Sequence, residues 1–407
     1  MAKHLRSRGV IGAAYRTMTR SHQVSHNELT LLKNGVEYFP QLCADINLAQ
    51  RSIYLETYIF APDETGRSIS DALRRAALRG VAVRLLLDGF GAAELSPHWL
   101  DELQNDGVQV LWFRRDISPF TLKRSRMRRL RRLHRKLVAI DTDIAFVGGI
   151  NILDDVPVDA EHDAPRLDYA VRVQGAMAGE VREATEYMWN LVTWATLRQR
   201  AKIIWPRLSH PSAHTRLRLL LRDNFRHRHA IEHAYLNAIG HARHEIILAN
   251  AYFLPGSTFR RALIHAAQRG VKVVLLLQGK VEYRLQHYAT RALYEQLLAA
   301  GIEIYEYQAS YMHAKVAVVD GHWATVGSSN IDPMSLLLAR EANLVVYDEA
   351  FSTELRDSLL QAIAHDGLRI SLQDWKKNSW LTRLSCRISL ATIRLVMAVL
   401  GHGKDSI

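Results

Sequence analysis

The sequence feature that most restricts the fold is an internal duplication. Residues 76–89 read AALRGVAVRLLLDG, and residues 266–279 repeat the same frame as AAQRGVKVVLLLQG. Each copy predicts a helix closed by a glycine, Gly80 or Gly270, followed by an apolar strand that is buried on both faces. A chain with this repeat is expected to fold as two similar α/β halves.

The elements around each copy follow the same order. An apolar strand precedes it, at residues 52–60 and 245–253, with a helical stretch before each strand. A helix and a short strand follow, and these short strands span residues 108–113 and 302–307. We therefore predict an α/β fold of two tandem halves, each a mixed, largely parallel sheet flanked by helices.

Breaks in this periodicity predict the domain boundaries. Prolines and a polar, basic stretch interrupt the pattern at residues 198–217. The predicted units are a basic N-terminal arm (1–26), a first domain (27–205), a second domain (206–370) and a basic amphipathic C-terminal segment (371–407). No apolar run approaches the roughly 20 residues that a transmembrane helix needs, and no secretory signal is recognised, so contact with a membrane is expected to be peripheral.

The net charge narrows the class of partner. Lys and Arg number 53 against 41 Asp and Glu, which gives +12 and favours polyanions: nucleic acid, an anionic membrane surface or phosphorylated substrates. The two cysteines, Cys43 and Cys386, match no metal-ligand spacing and imply neither a metal site nor a disulfide. Composition leaves all three kinds of partner open.

One motif, His-x-Lys-(x)4-Asp followed by a Gly-(Gly or Ser)-x-Asn turn, occurs once in each half. Its members are His134, Lys136, Asp141 and Asn151 in the first half and His313, Lys315, Asp320 and Asn330 in the second. Residues two apart in a strand point to the same side, so each copy places an imidazole beside an ammonium group. A single copy is a weak signal, since it often arises by chance. Two copies at matched intervals in a duplicated frame indicate a catalytic function.

Two imidazoles and two ammonium groups suit displacement at a phosphodiester. One neutral imidazole can attack phosphorus to form a phosphohistidine, while the other, protonated, gives its proton to the departing alkoxide. The lysines and the asparagine amides can hold the non-bridging oxygens, so no metal or other cofactor is expected. The motif's aspartates, Asp141 and Asp320, stand at strand ends, where we expect backbone hydrogen bonds that shape the turn.

The doubled motif resembles that of the phospholipase D superfamily, whose members carry it twice in a chain or once in each subunit of a dimer. The resemblance covers residues 27–366 and implies two halves related by a pseudo-twofold axis, with the active site at their interface. It also implies that His134 is the nucleophile and His313 the acid and base, although the chemistry allows either order. Glu341 and Asp168 would be the acidic residues that orient the imidazoles.

The substrate has to be inferred from the surroundings, because this chemistry serves phospholipid hydrolysis, phosphatidyl transfer and nucleic-acid cleavage alike. An insertion at residues 114–133 precedes His134 and has no counterpart before His313. Its basic residues flank an apolar stripe and predict contact with anionic lipid; they are Lys123, Arg124, Arg126, Arg128, Arg129, Arg131 and Arg132. A solvated face or a nucleic-acid patch is the alternative. Aromatic residues are scarce there, so no nucleic-acid partner is expected.

The C-terminal segment favours the same substrate class. In a helix over residues 381–400, Arg383, Arg387 and Arg394 share one side beside an apolar stripe, and tryptophans and lysines precede it, as in an interfacial anchor. A helix that packs on the core or on another subunit is the alternative.

Within the superfamily, residues 146–151, 250–255 and 322–333 resemble the bacterial cardiolipin synthases, in the short form that lacks N-terminal membrane spans. The resemblance implies transfer of a phosphatidyl group from one phosphatidylglycerol to the hydroxyl of another, with release of glycerol. It implies a peripheral location on the inner membrane of a bacterium, and the lack of a recognised signal favours the cytoplasmic face. The alternatives are another donor or acceptor, such as phosphatidylethanolamine or glycerol, and a nuclease of the same fold.

Overall fold

The computed structural model describes residues 27–114, 132–156, 164–197, 205–206, 216–223, 227–332 and 339–399. The predicted N-terminal arm and all of the basic insertion between residues 115 and 131 lie outside these ranges. Within them, the chain forms two β-sheets flanked by helices, one sheet from each half.

Strands and helices alternate at the start of the first half, which then has four successive strands and a long helix. Its elements are β1 (Glu28–Lys33), α1 (Asn34–Leu48), β2 (Ser52–Thr57), α2 (Glu64–Leu78), β3 (Ala82–Asp88), α3 (Pro97–Asn105), β4 (Gln109–Phe113), β5 (Lys136–Ile140), β6 (Ile144–Gly148), β7 (Tyr169–Gln174) and α4 (Ala176–Leu197). The predicted cap of α2 is present, because Gly80 follows the helix with φ of 91°.

The second half repeats this order and adds elements at its end. It contains β8 (Leu217–Arg222), α5 (Ala230–His241), β9 (Glu245–Asn250), α6 (Ser257–Gln268), β10 (Lys272–Gln278), α7 (Arg284–Arg291), α8 (Tyr294–Ala299), β11 (Glu303–Tyr307), β12 (Lys315–Val319), β13 (Trp323–Gly327), β14 (Glu341–Val346), α9 (Glu349–Asp366), β15 (Gly367–Ile370), α10 (Leu372–Lys377) and α11 (Trp380–Val399).

Both sheets are mixed, as predicted. The strand orders are β1-β7-β6-β5-β2-β3-β4 and β15-β11-β10-β9-β12-β13-β14-β8. Parallel pairing is confined to β2-β3-β4 and β9-β10-β11, so the expectation of largely parallel sheets holds only for these three-strand blocks. Helical crossovers join those strands, whereas β5-β6 and β12-β13 are joined by short turns that permit only antiparallel pairing.

The two sheets share a hydrophobic core between them. Val147 and Val171 of the first sheet belong to the same buried cluster as Val316, Val326 and Leu344 of the second. Separate clusters lie under the outer helices of each half. Burial of one such aliphatic side chain contributes about 1.5–3 kcal/mol, so the shared cluster holds the halves together and brings the starts of β5 and β12 close to one interface.

Candidate active site at the interface of the halves

A reciprocal pair of backbone bridges crosses the interface and positions both motif histidines. The His134 N–H donates to the carbonyl of Arg340 (3.0 Å), and the His313 N–H donates to the carbonyl of Leu167 (2.8 Å). Residues 133 and 312 accordingly form parallel bridges with residues 340 and 167. Each histidine is thus held beside the residue that precedes the acid of the other half.

The two imidazoles are paired with carboxylates across the interface. His134 Nδ1 lies 3.1 Å from both carboxylate oxygens of Glu341, and His313 Nδ1 lies 2.7 Å from Asp168 Oδ2. The carboxylates are almost fully buried, whereas the side chains of His134 and His313 are 16% and 19% exposed. A carboxylate on Nδ1 orients the ring and leaves Nε2 for substrate. The sequence indicated all four residues but not that each pair spans both halves.

The lysines occupy the same buried space. Lys136 Nζ donates to the His134 carbonyl (2.7 Å), and Lys315 Nζ donates to the His313 carbonyl. Burial, reinforced by the charge of Lys315, lowers the pKa of Lys136 to about 7, and burial lowers the pKa of Lys315 to about 8. Two cations held this close favour an anionic ligand that would compensate them.

The protonation states of the histidines follow from the same surroundings. Burial lowers the pKa of His134, against the opposing effect of Glu341. Burial, reinforced by Lys315 and Lys136, lowers the pKa of His313 well below its ordinary range. Both rings therefore favour the neutral form in which one nitrogen can act as a nucleophile or a base.

The two carboxylates have different surroundings, and one difference is a turn residue. Ser328 Oγ donates to Glu341 Oε2 (2.5 Å), and the corresponding residue of the first half is Gly149. A Cβ on Gly149 would lie 2.3 Å from Asp168 Oδ1, so only glycine leaves room for that carboxylate. Burial raises the pKa of Asp168 to about 7. Burial acts on Glu341 in the same direction, but His134, Lys136 and Ser328 outweigh it and hold its pKa below the ordinary value.

The motif aspartates hold turns at the far ends of the strands. Asp141 accepts hydrogen bonds from the backbone N–H groups of residues 50, 51 and 52, at 2.7–2.9 Å. Asp320 accepts from those of residues 243, 244 and 245, at 2.8–2.9 Å. Both have φ of 51°, a left-handed conformation that Asp and Asn adopt more readily than other non-glycine residues. This is the supporting geometry that the sequence predicts for them.

The motif asparagines are buried behind the histidines. Asn151 Oδ1 accepts from the Ile59 N–H (3.2 Å), which leaves its NH2 group as the donor end. Asn330 Oδ1 is buried with no hydrogen-bond partner in the part of the chain that is described. The predicted role of both amides in holding phosphate oxygens stays a prediction.

Of the basic residues predicted to touch lipid, only Arg132 lies in a described range; Lys123, Arg124, Arg126, Arg128, Arg129 and Arg131 lie outside. The Arg132 side chain is 15% exposed. Its Nη1 lies 3.8 Å from Asp88 Oδ1, and its guanidinium lies 5.1 Å from the centre of the Phe90 ring. Arg132 therefore packs beside the site instead of facing open solvent.

Sequence reasoning missed three residues around the motifs. Asp88 Oδ2 accepts from the Leu133 N–H (2.8 Å), and Gln278 Oε1 accepts from the Met312 N–H (3.1 Å). Each thereby fixes the residue before a motif histidine, and each occupies the same place in the repeat, as a polar residue that ends an apolar strand. The Tyr58 ring lies 4.8 Å from the His134 ring. A polar residue at the end of each repeated apolar strand was the sequence signal that could have identified Asp88 and Gln278.

Metal clusters and membrane-spanning helices are both absent from the described ranges. Across the described ranges, no group of three or more His, Cys, Asp or Glu side chains is arranged to hold a metal ion. No helix in those ranges is long and apolar enough to cross a bilayer.

Two α/β halves with a His-Lys pair from each at their interface define a protein of the phospholipase D superfamily, and the predicted resemblance is confirmed. The family model described as cardiolipin synthase, PLD-like domain, matches residues 42–157 and 235–363. The chain belongs to this cardiolipin synthase family of phospholipase D-like proteins.

Individual relatives span nearly the whole chain. The chain is 37% identical over 386 residues to cardiolipin synthase B of Escherichia coli K12, and the alignment covers 92% of this chain and 90% of that protein. It is 31% identical over 366 residues to a cardiolipin synthase of Geobacillus thermodenitrificans, and that alignment covers 90% of this chain and 71% of the other. The structure of phosphatidylserine synthase from Haemophilus influenzae shares the fold, with a TM-score of 0.68, 15% identity, and coverage of 92% and 95%.

Proposed function

We propose that this protein is a phosphatidyltransferase that forms cardiolipin from two molecules of phosphatidylglycerol. The observation that carries the proposal is the pair of cross-interface His-carboxylate contacts, flanked by two buried lysines. Membership of the cardiolipin synthase family supports this choice of substrate over other phosphodiesters.

The reaction would proceed in two displacements. His134 Nε2 forms a P–N bond to the donor phosphorus as the P–O bond to glycerol breaks, and His313 gives its proton to the departing glycerol oxygen. A headgroup hydroxyl of a second phosphatidylglycerol then loses its proton to His313 and forms a P–O bond as the P–N bond breaks. The two lysines would compensate the charge on the non-bridging oxygens in both steps.

The difference between the carboxylates supports this assignment of roles. An ionised Glu341 accepts the Nδ1 proton of His134 and makes the imidazole a better nucleophile. The His313–Asp168 pair binds a proton near neutral pH, because burial raises the pKa of Asp168 to about 7. A group that must give and then take a proton works best with a pKa near the operating pH.

A direct assay tests the proposal. Purified protein is incubated with vesicles of labelled phosphatidylglycerol, with and without EDTA, and cardiolipin and glycerol are measured. Equal amounts of both products, formed in either condition, are expected. Cleavage of DNA or RNA without any cardiolipin would overturn the lipid assignment in favour of a nuclease.

The pH profile is expected to fall steeply on its alkaline side. Between pH 7 and 8 the free protein loses protons from Lys136, from the His313–Asp168 pair and from Lys315, and each loss weakens phosphate binding or proton donation. On the acid side, the lowered pKa of His134 keeps the nucleophile neutral below the ordinary histidine value of 6.5. The measurement is kcat/KM against pH, which reports the free protein.

Lys136→Arg provides the check on this profile. A guanidinium stays charged throughout the range, so the alkaline fall in kcat/KM should depend on about one proton fewer and be less steep. The same steepness in the variant would contradict the assignment.

We further propose that α11 binds the surface of an anionic membrane. One face of α11 packs on the core through Cys386, Leu390, Ile393 and Met397. The opposite face exposes apolar side chains, with Ile388 at 56% and Leu395 at 66%. Its exposed residues also include basic ones next to that stripe, namely Arg387 and Arg394. An apolar stripe bordered by arginines suits the boundary between headgroups and acyl chains.

The double substitution Leu384→Ser and Ile388→Ser is expected to reduce binding to phosphatidylglycerol vesicles at least ~10-fold, since each lost apolar contact is worth about 1.5–3 kcal/mol when fully buried. Co-sedimentation with vesicles measures it. The matched control changes Leu48 and Leu78, which are 69% and 68% exposed on α1 and α2, to serine. Equal losses in both double variants would overturn the assignment of α11.

A further inference from the structure

The second half has a small polar cavity that the proposed mechanism does not use. Its volume is about 20 Å³, and it lies between the ends of β9 and β10 and the start of α7. Its lining includes Ala251, Tyr252, Gln278, Glu282 and Tyr283. A cavity of this size takes one water molecule or one hydroxyl group.

The walls of the cavity are hydrogen-bonded to the segment that carries His313, just before β12. Gln278 Oε1 accepts from the N–H of Met312, the residue before the histidine, and the Ala251 N–H donates to the carbonyl of Ala314, the residue after it (3.0 Å). The charge of Glu282 also raises the pKa of Lys315, against the larger effect of burial. Two residues of the cavity lining are therefore hydrogen-bonded to the chain neighbours of the proposed acid and base.

The polar groups that meet there suit a hydroxyl ligand. Tyr252 donates a hydrogen bond to Glu282, whose carboxylate keeps further acceptor positions. Gln278 is 8% exposed, and its Nε2 is a buried donor with no hydrogen-bond partner among the described residues. The Tyr252 and Tyr283 rings lie 5.8 Å apart in an edge-on arrangement beside this carboxylate. Together they offer an acceptor and an unused donor at one point.

The first half lacks this arrangement. The repeat aligns Gln278 with Asp88 and Glu282 with Ala92, which is fully buried. Asp88 uses its oxygens on the backbone N–H groups of Leu133, Phe90 and Gly91. Among the described residues, an acceptor and an unused buried donor therefore line one cavity in the second half, and the aligned positions of the first half do not repeat this pair.

We propose that this cavity binds a free hydroxyl of the polyol headgroup, both in the glycerol that leaves and in the phosphatidylglycerol headgroup that attacks. The inference rests on the proposed function, in which His313 protonates the first alcohol and deprotonates the second. Because the second displacement reverses the geometry of the first, both alcohols occupy one position next to His313. A carboxylate that accepts from a second hydroxyl selects a diol or triol over a simple alcohol.

A competition between two alcohols tests the inference. Vesicles of acyl-labelled phosphatidylglycerol are incubated with equimolar glycerol and propan-1-ol, the glycerol carrying a second label. The ratio of phosphatidylglycerol that carries both labels to acyl-labelled phosphatidylpropanol is measured. The wild-type protein should favour glycerol. Glu282→Gln and Tyr252→Phe should each lower the ratio by about 10-fold, as expected when a hydrogen bond to a charged group is lost.

The chain offers a matched control in a second tyrosine–glutamate pair. The Tyr305 hydroxyl donates to Glu303 (2.9 Å) on β11, and neither residue lines the cavity. Glu303→Gln and Tyr305→Phe should keep the wild-type ratio. Continued transfer with an unchanged ratio in both cavity variants would overturn the cavity's role alone. Failure of the wild-type protein to transfer to any alcohol or to form cardiolipin would overturn the proposed function and this inference with it.

Discussion

Replacing His134 with alanine is expected to abolish cardiolipin formation, with a loss on the order of 10⁵-fold, since no other group can form the covalent intermediate. The same loss is expected for His313→Ala with phosphatidylglycerol as donor, because glycerol is a poor leaving group without a proton. The two variants should differ when the donor carries p-nitrophenol, which leaves without protonation. Then His313→Ala should still form the phosphohistidine, and His134→Ala should not.

Rapid quenching at alkaline pH, followed by mass spectrometry of the labelled peptide, measures the adduct. Denaturant titration of each variant controls for folding, since both rings are close to the interface that joins the halves. A phosphoenzyme in His134→Ala, with none in His313→Ala, would reverse the roles of the two histidines. A phosphoenzyme in neither protein and undiminished transfer in both would overturn the covalent mechanism.

Glu341→Gln should lower kcat by about 10³–10⁴-fold, the size of effect seen when the carboxylate behind a catalytic histidine becomes an amide. The amide cannot stabilise an imidazolium and can favour the wrong tautomer of His134. Because Glu341 acts through His134, the loss should lie in the rate of phosphoenzyme formation and not in the KM for lipid. Ser328→Ala, which removes the 2.5 Å hydrogen bond to Glu341, should cause a smaller loss of the same kind.

A buried carboxylate outside the site provides a control that distinguishes a loss of stability from a loss of catalysis. Asp45 is 3% exposed and pairs with Arg172 at 2.6 Å, on α1 and β7. Asp45→Asn should reduce the free energy of unfolding by roughly 1–3 kcal/mol while the folded protein keeps its kcat. If Glu341→Gln changed stability in the same way and left phosphoenzyme formation intact, Glu341 would be a structural residue only.

Much of the fold follows from local patterns in the chain. Gly80 and Gly270 end helices before strands that are apolar on both faces, and these strands form the parallel blocks of the two sheets. The antiparallel share of each sheet was underestimated. Strand direction after β5 and β12 depends on turns made by Asp141 and Asp320, whose effect on topology the periodicity of apolar residues does not record.

By itself the sequence determined the membership of the site: a duplicated frame repeats the spacing of the two histidines and the two lysines, and the resemblance to the family added the two acids. Only the tertiary structure decided which acid serves which histidine. Backbone bridges from residues 133 to 340 and from 167 to 312 exchange partners between the halves, and such contacts depend on packing between segments about 150 to 200 residues apart. Only the structure also showed that Ser328 donates to Glu341, whereas Gly149 lies against Asp168 and offers it no hydroxyl.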